Sequence, residues 1–121
     1  MGDLNCTYGF LRGEFEKPAF VLPGTELATA AVRFCPFLFR QHKEPSGKQD
    51  IFTNVAFLEL PYRFVWAVMS GNEVFVYESN DQLPIAKFAD LHHLPLSDIA
   101  WQGYKKLVVS SFDGFVTVIE F

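Results

Sequence analysis

YRFVWAVMSGNEVFVYES, residues 62–79, and YKKLVVSSFDGFVTVIEF, residues 104–121, are two copies of one pattern set 42 positions apart. Tyr62 pairs with Tyr104, Val74 with Val116, Val76 with Val118 and Glu78 with Glu120, while Arg63 meets Lys105 and Val65 meets Leu107. In each copy an apolar strand (Phe64 to Met69; Leu107 to Ser110) runs through a turn into a second strand (Val74 to Tyr77; Phe115 to Ile119). The turns, Gly71-Asn72 and Asp113-Gly114, are built from residues that tolerate the positive φ of tight hairpins. Each copy is therefore predicted to be a β-hairpin.

Upstream of these copies, AAVRFCP at 30–36 and SDIAWQG at 97–103 form another matched pair, with Phe34 and Trp101 at equivalent places. Both read as an inner, largely buried strand. Their offset is 67, and the surplus over 42 is largely accounted for by 41–57, QHKEPSGKQDIFTNVAF, a mostly polar stretch predicted to be a loop insertion. Lys17-Pro18-Ala19-Phe20-Val21-Leu22 resembles Leu83-Pro84-Ile85-Ala86-Lys87-Phe88. Proline near a strand start suits an edge, where its missing N–H is harmless, so these are the outer strands.

The unit is thus four short antiparallel strands recurring every 40-odd residues, the period and blade size of WD-repeat propellers. We expect an all-β partial WD40-type β-propeller of about two four-stranded blades, with little or no helix. The blade segments are residues 6–22 (last two strands), 28–90 (a full blade with the insertion) and 96–121 (three strands). Because repeats cannot bury their faces alone, we expect a piece of a larger ring. Strands left unpaired at its ends predict that the 121-residue chain associates with itself. A small ligand-carrying β-barrel is the rival fold, but a barrel does not require the repeat.

Composition narrows the function. Half the residues are hydrophobic and 17% aromatic, with 14 Phe, which suits pleated, half-buried surfaces. Apolar runs stay far below the roughly 20 residues of a membrane-spanning helix, and Met1-Gly2-Asp3-Leu4-Asn5-Cys6 lacks the pattern of a signal peptide. We expect an intracellular chain with no membrane partner. The formal charge of −4 argues against binding through phosphate neutralisation, so no direct nucleic-acid contact is expected. Cys6 and Cys35, without a CxxC pair, are expected to be buried, reduced thiols. No phosphate loop, GxSxG elbow or HExxH helix occurs, and no catalytic residue, cofactor or metal is expected.

With the blades in place, residues 61–121 resemble the family of the WD-repeat subunit of chromatin assembly factor 1, in the closing blades of its propeller. The resemblance is carried by Leu60-Pro61-Tyr62-Arg63, by the turn into Val76-Tyr77-Glu78 and by Leu91-His92-His93 through Leu96-Ser97-Asp98-Ile99-Ala100-Trp101. Ser110-Ser111-Phe112-Asp113-Gly114 extends it, and Thr7-Tyr8-Gly9-Phe10 and Ala31-Val32-Arg33-Phe34-Cys35-Pro36 are similar too. It implies a nuclear, non-catalytic scaffold of a histone chaperone that deposits histones H3 and H4 during DNA replication. Its implied partners are the assembly's large subunit and, indirectly, H3 and H4. HIRA-type histone-regulator propellers and generic WD-repeat interaction adaptors are the alternatives, since fold does not fix function.

The WD signature is degraded, because Tyr77-Glu78 and Ile119-Glu120 stand where Trp-Asp is expected. Ile119 cannot donate as an indole would, so the His, Ser, Trp and Asp hydrogen-bonded set of strong repeats is incomplete. His92 or His93 with Asp113 is expected to survive as a partial version. Near Ser97 and Asp98 the two histidines also suggest proton transfer or zinc, but one of them falls in the loop before the inner strand, where a turn-stabilising bond is the simpler role. Trp66 and Trp101 lie within strands and read as core. Phe112, just before the Asp113-Gly114 turn, is the better interface candidate. The interaction set is therefore Phe112, Asp113, His92 and His93.

Overall fold

The computed structural model describes residues 5–41, 61–81 and 83–121, and these contain strands, turns and loops without helix. Three antiparallel sheets follow one another along the chain. The first pairs β1 (Asn5–Gly9) with β2 (Phe20–Thr25). The second is built from β3 (Thr29–Phe34), β6 (Val65–Ser70), β7 (Glu73–Glu78) and β8 (Ala86–Phe88), in the order β3-β6-β7-β8. The third sets β9 (Leu96–Gln102), β10 (Lys106–Ser111) and β11 (Val116–Glu120) side by side. A short ladder of β4 (Phe39–Arg40) on β5 (Tyr62–Arg63) closes the base of the expected insertion, whose residues from 42 onward lie outside the described residues.

Alternation decides how the sheets stack. Val65, Ala67, Met69, Val74 and Val76 on one face of the second sheet join Leu96, Ile99, Leu107, Val109 and Ile119 of the third in one core. On the opposite face Trp66, Val68, Phe75 and Tyr77 pack with Leu22 of the first. Covered on both sides, β6 is buried at every position. Each fully buried aliphatic side chain stabilises by about 1.5–3 kcal/mol relative to exposure, so these two seams dominate the cohesion of the chain. At the first seam Gly9 lies opposite Phe20, and a Cβ there would sit 2.1 Å from the Phe20 ring. Only glycine leaves room for that ring.

The hairpin copies match less simply than a gapless alignment indicates. Trp66 faces Tyr77 in the second sheet, and Leu107 faces Ile119 in the third. Ser70 Oγ donates to the Leu27 carbonyl at 2.6 Å, and Ser111 Oγ lies 3.0 Å from the carbonyls of Leu94 and Pro95. Hence Trp66 and Ser70 correspond to Leu107 and Ser111, at a spacing of 41, whereas Val74 and Val76 correspond to Val116 and Val118 at 42. The pairings of Val65 with Leu107 and of Tyr62 with Tyr104 are one residue out of step. One extra residue sits in the second turn, so Asn72 corresponds to Asp113 and Gly114 is the addition. The first sheet repeats β7 and β8, because Thr7 faces Leu22 and Tyr8 faces Val21 as Val74 faces Phe88 and Phe75 faces Lys87.

Two burial expectations are corrected. Cys35 is buried, but Cys6 is exposed, on a strand whose sheet packs against the second sheet through one face. The inner strands β3 and β9 are not largely buried; no residue of β3 is fully buried, β9 buries Leu96 and Ile99, and Phe34 is 60% exposed. Phe34 sits in an open cleft of about 400 Å³ between the first and second sheets, lined also by Tyr8, Phe20, Val32 and Trp66.

Candidate functional site

The site forms where the loop before β9 meets the turn from β10 to β11. Gly114 adopts φ 87°, which a side chain would strain, and this bends the chain so that Asp113 looks back into its own turn. Its Oδ1 accepts from the Phe115 amide at 2.9 Å and its Oδ2 from the His93 amide at 3.2 Å. His92 Nδ1 lies 3.0 Å and 3.2 Å from the two carboxylate oxygens, and His92 Nε2 lies 2.8 Å from Thr117 Oγ1. A carboxylate can only accept, so Nδ1 carries a proton and donates to Asp113, while Nε2 pairs with the Thr117 hydroxyl. Ser111 completes the turn: its Oγ accepts from the Asp113 amide at 3.3 Å.

Burial alone pushes the Asp113 carboxyl up. The Phe115 amide, the hydrogen bond and charge of His92 and the His93 amide outweigh it and hold that carboxyl below the usual carboxylate range. The site is thus poised to keep an anion at the turn, with the His92 ring 3% exposed above it.

Carboxylate, imidazole and hydroxyl in sequence is also the order of a nucleophilic triad. Here the hydroxyl belongs to mid-strand Thr117, cross-strand from Val109 on the face pressed against the second sheet. It points into a seam between sheets, where it ties β11 to the loop before β9. Among the described residues no group of three or more His, Cys, Asp or Glu side chains is placed to hold a metal ion.

Of the residues singled out from sequence, His92 and Asp113 come together and are sealed. His93 contributes its amide to the same carboxylate and is itself exposed. Phe112 is 72% exposed, its amide donating to the Pro95 carbonyl at 3.1 Å. Trp66 is core, against Phe20, Phe64 and Tyr77. Trp101 stacks on Phe121, and its indole N–H donates to the Arg33 carbonyl at 3.0 Å. Sequence reading missed Thr117 and Ser111 in the network, and Phe115 and Leu94, which are exposed beside Phe112 in the chain's turn and loop. Alternation from the buried Ile119 puts Thr117 on the inward face and was the available signal.

Successive antiparallel sheets packed face to face, with a loop histidine bound to a turn aspartate, define the class: part of a WD-type β-propeller. Residues 2–121 match the family described as the CAF1B/HIR1 beta-propeller domain. The chain belongs to that family. It is 40% identical over 98% of its length to a rice protein named chromatin assembly factor 1 subunit FAS2 homolog. It is 35% identical over 97% of its length to a chicken subunit of chromatin assembly factor 1, and 36% identical over 94% to the fission yeast protein of the same name. The chain spans about a fifth of the length of these relatives, 22%, 21% and 22% respectively.

Proposed function

We propose that the chain is the propeller part of a non-catalytic scaffold in a histone chaperone complex, acting in the nucleus during replication-coupled chromatin assembly. Residues 6–22, 28–90 and 96–121 serve as successive blade segments. The scaffold docks the large subunit of the complex and through it reaches histones H3 and H4, with no direct nucleic-acid contact. The observation that carries this reading is identity of 35–40% along nearly the whole chain to chromatin assembly factor 1 subunits of rice and chicken. The non-catalytic part is supported by His92, Asp113 and Thr117, whose triad-like order is spent on holding a loop to a strand. The charge of −4 supports protein rather than phosphate partners.

Within that role, the contact surface lies at Phe112 and His93, and His92 with Asp113 holds the loop and turn that present them. Exposed aromatics on rigid turns make efficient anchors. The test is recovery of the tagged full-length protein from nuclear extract. Co-purification of H3, H4 and the large subunit is expected, with Phe112→Ala reducing it and leaving the melting transition in place. Absence of both histones and large subunit from a folded bait overturns the proposal, and a HIRA-type assembly in their place favours that alternative.

A further inference from the structure

The seam between the second and third blades ends, on the side away from the hairpin turns, in two loops. One leads from β3 to β4 and carries Phe37; the other joins β9 to β10 through Gly103, Tyr104 and Lys105. Gly103 turns with φ 65°, and the Tyr104 ring reaches across the seam to the second blade. It meets Phe37 edge to face with centroids 5.8 Å apart, and Phe39 in the same way at 6.4 Å. Phe39 packs against the core and is backed by Arg63, whose guanidinium lies 5.6 Å from its ring centroid. That guanidinium is itself held by Glu78 and by the Arg40 carbonyl at 2.9 Å. On this fixed base Phe37 and Tyr104 are 48% and 50% exposed. The blades on both sides of the seam are among the described residues, so this aromatic ledge lies where two blades already meet.

Charge fixes the sign of what fits there. In a chain with 14 acidic and 10 basic residues, segments 35–41 and 102–106 contain Arg40, Lys105 and Lys106 and no acid. None of the three cations forms an ion pair among the described residues. Lys105 Nζ lies 5.4 Å from the Tyr104 ring centroid, which sets positive charge directly on the ledge. We propose that the ledge docks an acidic segment of another protein, with an apolar side chain seated against Phe37 and Tyr104 and carboxylates drawn to Lys105 and its cationic neighbours. Aromatic anchors on a rigid base supply the affinity, and charge complementarity selects the partner. A single-stranded nucleic acid fits less well, because bases stack on open ring faces, whereas these rings meet edge to face and Lys105 lies over Tyr104. The six residues of β10 hold Tyr104 and Lys105 roughly 20 Å from Phe112. This docking therefore stands or falls separately from the contact at Phe112 and from the histone role.

Fluorescence anisotropy on the full-length protein tests it with labelled probes of equal length. These are a peptide of Asp, Glu, Phe and Leu, its counterpart with Lys for the acids, an acidic peptide with Ser for Phe and Leu, and a thymidine oligonucleotide. The first is expected to bind most tightly, and more weakly as salt rises. Tyr104→Ala and Lys105→Glu are each expected to weaken it more than about tenfold, with Phe112→Ala leaving it unchanged. Lys105→Glu is also expected to improve binding of the Lys peptide. Far-ultraviolet circular dichroism checks that the variants fold, and Phe37→Ala replaces Tyr104→Ala if the latter does not. Equal binding of the acidic and basic peptides, affinity that both variants retain, or no peptide binding at all overturns the proposal. Tighter binding of the oligonucleotide overturns it too and assigns the ledge to nucleic acid.

Discussion

The second and third blades solve the same problem at the same turn by different means. The second is covered on both faces, and every residue of β6 is buried. At its hairpin Asn72 stands where the third blade has Asp113, and Asn72 Oδ1 is buried with no hydrogen-bond partner among the described residues. Thr25, in the place of His92, turns its hydroxyl to the nearby Leu27 carbonyl. Among the described residues the third blade packs on one face, and its turn carboxylate accepts from two amides and an imidazole. Where apolar burial is ample, an orphan acceptor worth about 1–3 kcal/mol of desolvation is tolerated. At the turn of the third blade a satisfied polar network supplies the rigidity.

Attacking the contrast at its strongest point gives the largest effect. Trp66→Ala removes a 2% exposed ring in contact with Phe20, Phe34, Phe64 and Tyr77, and is expected to cost about 3–5 kcal/mol by urea denaturation. Trp101→Ala in the third blade, losing one stack and one hydrogen bond, is expected to cost about 1–2 kcal/mol. Of similar size is His92→Ala, which takes the imidazole from the Asp113 carboxylate and from the Thr117 hydroxyl; about 2 kcal/mol is expected in the same measurement.

The next effect depends on pH. Asp113 is held below its ordinary range when folded, so its stabilisation is complete above the unfolded carboxylate value of about 3.9 and is lost as pH falls through the lower folded value. Urea midpoints followed from about pH 5 to about pH 2 should fall over that window, and Asp113→Asn should flatten the part of the slope that Asp113 supplies. The smallest effects probe the contrast from the other side. Phe112→Ala trims a side chain 72% exposed and is expected to shift stability by no more than about 0.5 kcal/mol, and Asn72→Ala, which removes a buried acceptor without a partner among the described residues, is expected not to lower stability.

The all-β fold was legible because its signals are local. Glycine, asparagine and aspartate mark the hairpin turns, and alternation marks the strands between them. Equivalence between the copies was legible for Val74 and Val76 but slipped by one for Val65, since an extra residue inside a turn leaves no trace in a short gapless match. The packing of Ser70 and Ser111 under their loops is what exposes it. His92 with Asp113 was readable from the loop position of one histidine, yet Thr117 was not, because a threonine in mid-strand is ordinary strand composition and its partner lies 25 residues away. The exposure of Cys6 and Phe34 was illegible for a different reason: it depends on how far a neighbouring sheet extends, which no local pattern encodes.

His92, Asp113 and Thr117 lock the turn of the third blade, whereas the second is held mainly by burial on both faces. Native-state amide hydrogen exchange on the wild-type chain and His92→Ala separates these two modes of cohesion. Protection is expected to be lost at the Phe115 amide, at the amide of residue 93 and along β9 to β11, with the β6–β7 amides unchanged relative to the wild type. Equal loss across both blades, or no loss at the Asp113 turn, would refute the division.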